Sequence, residues 1–168
     1  MVEHEFHACQ AGRIDRVAVI GPPGSGKSRF ARALAARTGI PVVHLDPIFW
    51  APGWQRAPRA EAERRLADAV AGERWIIDGN FLGAVPERFA RADAVVLLDR
   101  SPWLCFRRVA VRTARKPPRA DLPEGCTDAL DREMLRDLLT YRRRERPRAL
   151  ELATHVLRTD ADVARFLG

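Results

Sequence analysis

The chain has 168 residues, 46% of them hydrophobic and 30% charged, a composition that fits one globular domain and excludes a disordered or collagen-like chain. No apolar run approaches the length of a membrane span, and the formal net charge of +7 favours an anionic partner, either nucleotide phosphates or nucleic acid. Lys27 and Lys116 are the only lysines among the 29 basic residues, so the positive charge is almost all arginine, whose planar fork donates two hydrogen bonds to one phosphate. Residues 1–15 read as a loose leader with acids where a secretory signal has bases, so a cytoplasmic protein is expected. Cys9, Cys105 and Cys126 are scattered and odd in number, which reads as free thiols in a reducing compartment.

Residues 17–20 are a short, β-branched apolar run that predicts a buried parallel strand. Residues 28–38 then show helical spacing, ended by Gly39. A second strand is expected over 41–45, a loop over 47–58 and an amphipathic helix over 59–71. A third strand over 74–77, a short helix over 85–91 and a fourth strand over 94–98 follow. A long helix is expected over 102–115, then an irregular stretch rich in proline, glycine and charge. A helix over 128–151, a last strand over 155–157 and a closing helix over 160–167 complete the chain. Strands alternating with helices predict an α/β fold with a doubly wound parallel sheet, whose ligand sites lie at the strand ends.

The run Gly21-Pro22-Pro23-Gly24-Ser25-Gly26-Lys27-Ser28 fits G-x-x-x-x-G-K-[ST] and stands between a strand and a helix. Glycines let consecutive backbone N–H groups turn inward on an anion, and the helix that follows adds its positive end. Lys27 is expected to reach the β- and γ-phosphates of ATP, with Arg29 beside it. The Ser28 hydroxyl is a hard oxygen ligand for Mg²⁺. Asp78 at the end of the third strand is expected to bind substrate and to be the carboxylate partner of that metal, and Asp99 at the end of the fourth is its rival for the metal. Asp46, after the second strand, faces the acceptor side, where it would orient a substrate hydroxyl or accept its proton, while His44 reads as a packed strand residue. Arg108, Arg112 and Arg115 share a helix face and, with Arg119 and Arg143, bracket a lid over 113–128. Arg112 and Arg115 are expected to stabilise the moving phosphoryl group, Arg108 to hold nucleotide, and Arg119 and Arg143 to hold substrate. Trp50, Trp54, Trp75 and Trp103 read as core or rim packing.

The order phosphate loop, His44-Leu45-Asp46, Phe49-Trp50-Ala51-Pro52-Gly53-Trp54, then Trp75 to Phe81, resembles the adenylate-kinase-related DNA topology modulation proteins of the FlaR type. The stretch from Arg119 to Cys126 and the segment from Tyr141 to Leu150 resemble that family's lid and tyrosine-then-Arg-Pro signatures. The resemblance implies a three-layer, adenylate-kinase-like phosphate-loop fold with a short arginine-rich lid, one domain over 1–168, and an acceptor-side segment over 46–72. It also implies that Asp78-Gly79 corresponds to the D-G of nucleoside-monophosphate kinases and Arg88 to their acceptor-binding arginine. The expected activity is Mg²⁺-dependent transfer of the ATP γ-phosphate to a nucleotide, nucleoside or other small hydroxyl acceptor. The alternatives are a nucleic-acid-binding regulator that uses ATP as a switch, and an ATPase with no acceptor.

Overall fold

The computed structural model describes residues 14–115, 121–123, 126 and 130–168. Cys9, most of the expected leader and most of the expected lid, Arg119 included, lie outside these residues. Val17 to Ile20 are all buried in β1 (Arg16–Ile20). A strand apolar on both sides belongs in the middle of a sheet covered on both faces. The five-stranded parallel sheet has the order β2-β5-β1-β6-β7, with β2 at Val42–His44, β5 at Trp75–Asp78, β6 at Ala94–Leu98 and β7 at His155–Leu157.

Alternate residues of β1 face opposite ways. Ala18 and Ile20 join Leu45, Leu66 and Ile77 in one core. Val17 and Val19 join Phe30, Ala31 and Leu34 in the other. Helix α3 (Arg59–Ala71) covers the first face; α1 (Lys27–Thr38) and α8 (Asp160–Leu167) cover the second. The molecule is therefore the expected three-layer α/β structure. Because β5 and β6 flank β1, strand order reverses there, and a crevice opens beyond the C-terminal ends of β1, β2 and β5.

Two expectations over local structure are corrected. Residues 47–58 are not a plain loop: α2 (Asp46–Phe49) is followed by an antiparallel ribbon of β3 (Trp50–Ala51) and β4 (Gln55–Arg56). Pro47 stands in the first turn of α2, where its missing N–H costs nothing. Gly53 (φ 73°) and Trp54 (φ 58°) both adopt left-handed backbone and turn the ribbon back on itself. The expected helix over 128–151 is two helices, α6 (Arg132–Arg144) and α7 (Arg146–Leu152). Pro147 in the first turn of α7 cannot continue the α6 hydrogen-bond ladder, so the axis breaks at Glu145. Helix α4 (Glu87–Ala90) is shorter than expected, and α5 (Pro102–Arg115) has the expected limits. No described helix is long and apolar enough to cross a membrane, and Cys105 and Cys126 carry free thiols.

Candidate active site

The chain leaves β1 into residues 21–26 through three left-handed glycines: Gly21 (φ 152°), Gly24 (φ 77°) and Gly26 (φ 95°). At Gly24 the requirement is also steric, because a Cβ would lie 2.4 Å from the Cys105 carbonyl oxygen of α5. Pro22 accepts from the Ser25 N–H at 3.1 Å, which closes the turn. Gly26 caps α1 with no side-chain hydrogen bond and no acid stands in the first turn, so the positive end of the helix is not neutralised by its own first turn. Pro23, Gly24, Gly26, Lys27 and Ser28 line a cleft of about 850 Å³.

Arg108, expected on the nucleotide, braces this loop from behind. Its guanidinium donates to the Ser25 carbonyl at 3.0 Å and lies 3.5 Å from Asp160 at the start of α8. It is not among the cleft-lining residues, whereas Arg112, one turn further on, is. Arg115 is the exposed last residue of α5 and Arg143 an exposed residue near the end of α6; neither lines the cleft. Arg29 and Arg32 of α1 do, and Arg32 pairs with the buried Asp121 at 3.4 Å.

The end of β5 is corrected in several places. Asp78 is buried; its Oδ2 meets His44 Nδ1 at 2.8 Å, while Oδ1 has no hydrogen-bond partner among the described residues. His44 is thus part of the site's support. Gly79 holds φ 144° with Leu45 so close that a Cβ would sit 2.7 Å from the leucine's own Cβ. Arg88, expected to grip the acceptor, is fully buried instead. It donates to the carbonyls of Gly79, Asn80 and Phe81 and stacks over Phe89 at 4.4 Å. Burial pushes its pKa down to about 10, opposed by the nearby Asp78 charge. Asp99 is no rival for a metal: Arg146 grips both its oxygens, at 2.9 and 2.8 Å, and Arg158 lies 3.7 Å away. The hydrogen bond from Arg146 is the largest cause of its lowered pKa.

Sequence reasoning missed Asn80 and Glu145. Asn80 Oδ1 accepts from the Gly21 N–H at 2.9 Å, and its Nδ2 donates to Glu145 at 2.9 Å. Burial raises the Glu145 pKa, Asp137 adds to the rise, and Asn80 and Lys27 pull it back. Asn80 was legible only as part of a strand-closing Asp-Gly-Asn; the signal for Glu145 was its place directly before Arg146-Pro147.

Asp46, as expected, lines the cleft at the start of α2. Beside it stand two tryptophans expected only to pack. Trp50 and Trp54 meet edge-to-face at 5.8 Å, and the Arg56 guanidinium lies over the Trp50 ring at 3.9 Å. Phe81, which also lines the cleft, stacks on Phe49 at 4.0 Å. Trp75 is core, as expected, whereas Trp103 is 73% exposed. The geometry brings a phosphate-binding loop, a lysine, two further cations of α1 and a carboxylate to one cleft, which is the equipment for moving a phosphoryl group onto a bound hydroxyl.

No family model matches the chain. It is 32% identical over 164 residues to the shikimate kinase of Nitratidesulfovibrio vulgaris, covering 89% of each chain. A solved shikimate kinase from Bacteroides thetaiotaomicron superposes with a TM-score of 0.60 at 20% identity, over 90% of this chain and 96% of that one. Another from Acinetobacter baumannii, in complex with shikimate, gives 0.60 at 20%, over 92% and 89%. At that identity the two structures establish the fold.

Proposed function

Because the chain belongs to the shikimate kinase family, and is thereby an ATP-dependent small-molecule kinase, we propose that its cleft moves the ATP γ-phosphate to a hydroxyl of an acceptor held beside Asp46 and the β3–β4 ribbon. The supporting observation is that the glycine loop, Lys27 and Asp46 open on one and the same cleft. In the step, the acceptor oxygen forms a bond to the γ-phosphorus as the bond to the β–γ bridging oxygen breaks. ADP leaves, and the hydroxyl proton passes to Asp46. Lys27 and Arg112 face the charge that spreads over the phosphoryl oxygens, and loop N–H groups hold the β-phosphate.

Magnesium fits this site. Among the described residues no trio of His, Cys, Asp or Glu gathers into a cage, and Mg²⁺ ordinarily takes only one or two protein oxygens, completing its shell with phosphate and water. Ser28 would hold it directly, and the orphaned Asp78 Oδ1 suits a metal-bound water. Bound there, the ion neutralises charge on the nucleotide phosphates. His44 keeps Asp78 in place for that role. The acceptors to test are shikimate, to which the Acinetobacter structure is bound, and the nucleotides and nucleosides implied by the resemblance to the FlaR-type proteins.

The test measures phosphate transfer from γ-labelled ATP with Mg²⁺ to that panel. The wild-type chain should phosphorylate at least one acceptor, and Lys27→Ala should lower kcat about 10³-fold, because its charge acts mainly in the transition state. Transfer that survives the substitution overturns the reading.

A further inference from the structure

The glycine loop pairs some of its amides within the protein and leaves others open. The Gly21 N–H donates to Asn80 Oδ1 at 2.9 Å, and the Ser25 N–H donates to the Pro22 carbonyl at 3.1 Å. Among the described residues, the N–H groups of Gly24, Gly26, Lys27 and Ser28 donate to nothing, and these four residues line the cleft. A loop with so many open donors keeps its shape only where other groups hold it. Gly24 rests against the Cys105 carbonyl, and Arg108 donates to the Ser25 carbonyl at 3.0 Å. Asn80 holds the point where the chain leaves β1. There Gly21 has φ 152°, and a Cβ would lie 2.8 Å from the Leu98 carbonyl oxygen.

Asn80 is itself fixed in place and in orientation. The neighbouring Gly79 N–H donates to the Val19 carbonyl at 3.1 Å, and Arg88 donates to the Gly79 and Asn80 carbonyls. The carboxamide can face only one way, because an N–H needs its oxygen and an ionised carboxylate needs its nitrogen. That nitrogen donates to Glu145 Oε2 at 2.9 Å. The Glu145 backbone is tied into both helices it separates: its N–H donates to the Tyr141 carbonyl at 2.9 Å, and its carbonyl accepts from the Ala149 N–H at 2.8 Å.

We infer that Asn80 is a positioning residue for the phosphate loop: held by Glu145, it fixes Gly21 so that the open amides meet the nucleotide phosphates without rearrangement. This deepens the kinase reading and rests on it. Asn80 acts through Gly21 and not on the moving phosphoryl group. Its residue type follows from its two partners. Alanine offers neither bond. Aspartate still accepts from Gly21 but turns a second carboxylate onto Glu145, where like charges at hydrogen-bond distance repel and pull the side chain off its seat. Only a carboxamide carries an acceptor and a donor on one short planar group. An aspartate regains its partner if Glu145 is made glutamine, because an amide then donates across the same contact in the opposite direction.

The experiment is calorimetric titration of the full chain with a non-hydrolysable ATP analogue and Mg²⁺, with Tm measured on each variant free of ligand. Asn80→Ala and Asn80→Asp should each raise Kd about tenfold, the rise that follows when the binding geometry falls to about a tenth of the loop population. Asn80→Asp, Glu145→Gln and the two combined then form a double-mutant cycle. A carboxylate that merely repels the phosphates makes the two effects add, whereas a remade contact makes the combined variant bind more tightly than their sum, by about threefold or more. Where Asn80→Ala does not fold, the cycle carries the test, since its members keep an acceptor for the Gly21 N–H. An additive cycle overturns the inference. So does an Asn80→Ala chain whose ligand-free Tm falls while its Kd stays at the wild-type value, because Asn80 then serves stability alone. A wild-type chain that does not bind the analogue fails the kinase reading, and the inference with it; a wild-type chain that binds it no better than Asn80→Ala fails the inference alone.

Discussion

Gly24 illustrates how one hydrogen atom in place of a side chain carries the donor site. Its left-handed φ and the Cys105 carbonyl 2.4 Å from a would-be Cβ act together. Gly24→Ala should therefore cost about 2 kcal/mol or more of stability, read as a lower urea midpoint, and should weaken ATP binding by displacing the loop. Glu145 makes a second prediction. Its folded-state pKa is raised, by burial first, from an ordinary 4.5. The folded chain then holds a proton that the unfolded chain has lost, so stability falls as pH rises from 4.5 towards the folded pKa. Glu145→Gln keeps an acceptor for Asn80 and should flatten that fall in urea midpoints taken between about pH 4 and pH 8; an unchanged slope would assign the pH dependence elsewhere. The glycine turn from Gly21 to Gly26 between a strand and a helix was legible in the sequence from its spacing alone. Arg88 and Arg108 were not, because an arginine that grips a backbone carbonyl and one that grips a phosphate are the same letter until burial is known.

At the scale of elements, periodicity located the helices and strands that bury a face. The limits of α3, β6, α5, β7 and α8 follow from it. It failed where the chain turns on something other than a hydrophobic face. Pro47 fell in an expected loop, yet it sits in the first turn of α2; Pro147 fell inside an expected continuous helix, yet it ends one helix and starts the next. The β3–β4 ribbon depends on a tryptophan in left-handed backbone, which no propensity favours. The turn after β5 is held by Arg88, which supplies donors to three successive carbonyls, Gly79 to Phe81. Arg88→Met should fill similar volume but leave those carbonyls unpaired, costing about 3 kcal/mol. It should also raise the Kd for ATP, because Asn80 is in that turn and holds Gly21. A variant with normal stability and normal nucleotide affinity would show that the turn supports itself.

For the molecule as a whole, the donor site joins β1, α1 and the turn after β5, all central to the sheet, so a nucleotide that fills it should stabilise the entire fold. At a hundredfold excess over Kd, ATP with Mg²⁺ is expected to add about 2.7 kcal/mol, a rise in Tm of about 5–10 °C for a chain of this size; a flat melting curve would argue against binding to the native state. The +7 charge has a separate consequence. Pairs such as Arg16–Asp93, Arg100–Asp160 and Arg146–Asp99 cancel within themselves, so the +7 is an excess spread over the remaining arginines with no motif that reads bases. Duplex DNA should accordingly adhere weakly, without base preference, and lose that binding between about 50 and 200 mM salt. Sequence-preferring binding that survives the higher salt would favour the regulator alternative.

Asn80 uses one carboxamide to join two walls of the cleft, its oxygen on the glycine loop and its nitrogen on the acid that separates α6 from α7. Thermodynamic reciprocity then requires that whatever factor nucleotide occupancy adds to acceptor affinity, acceptor occupancy returns to the nucleotide.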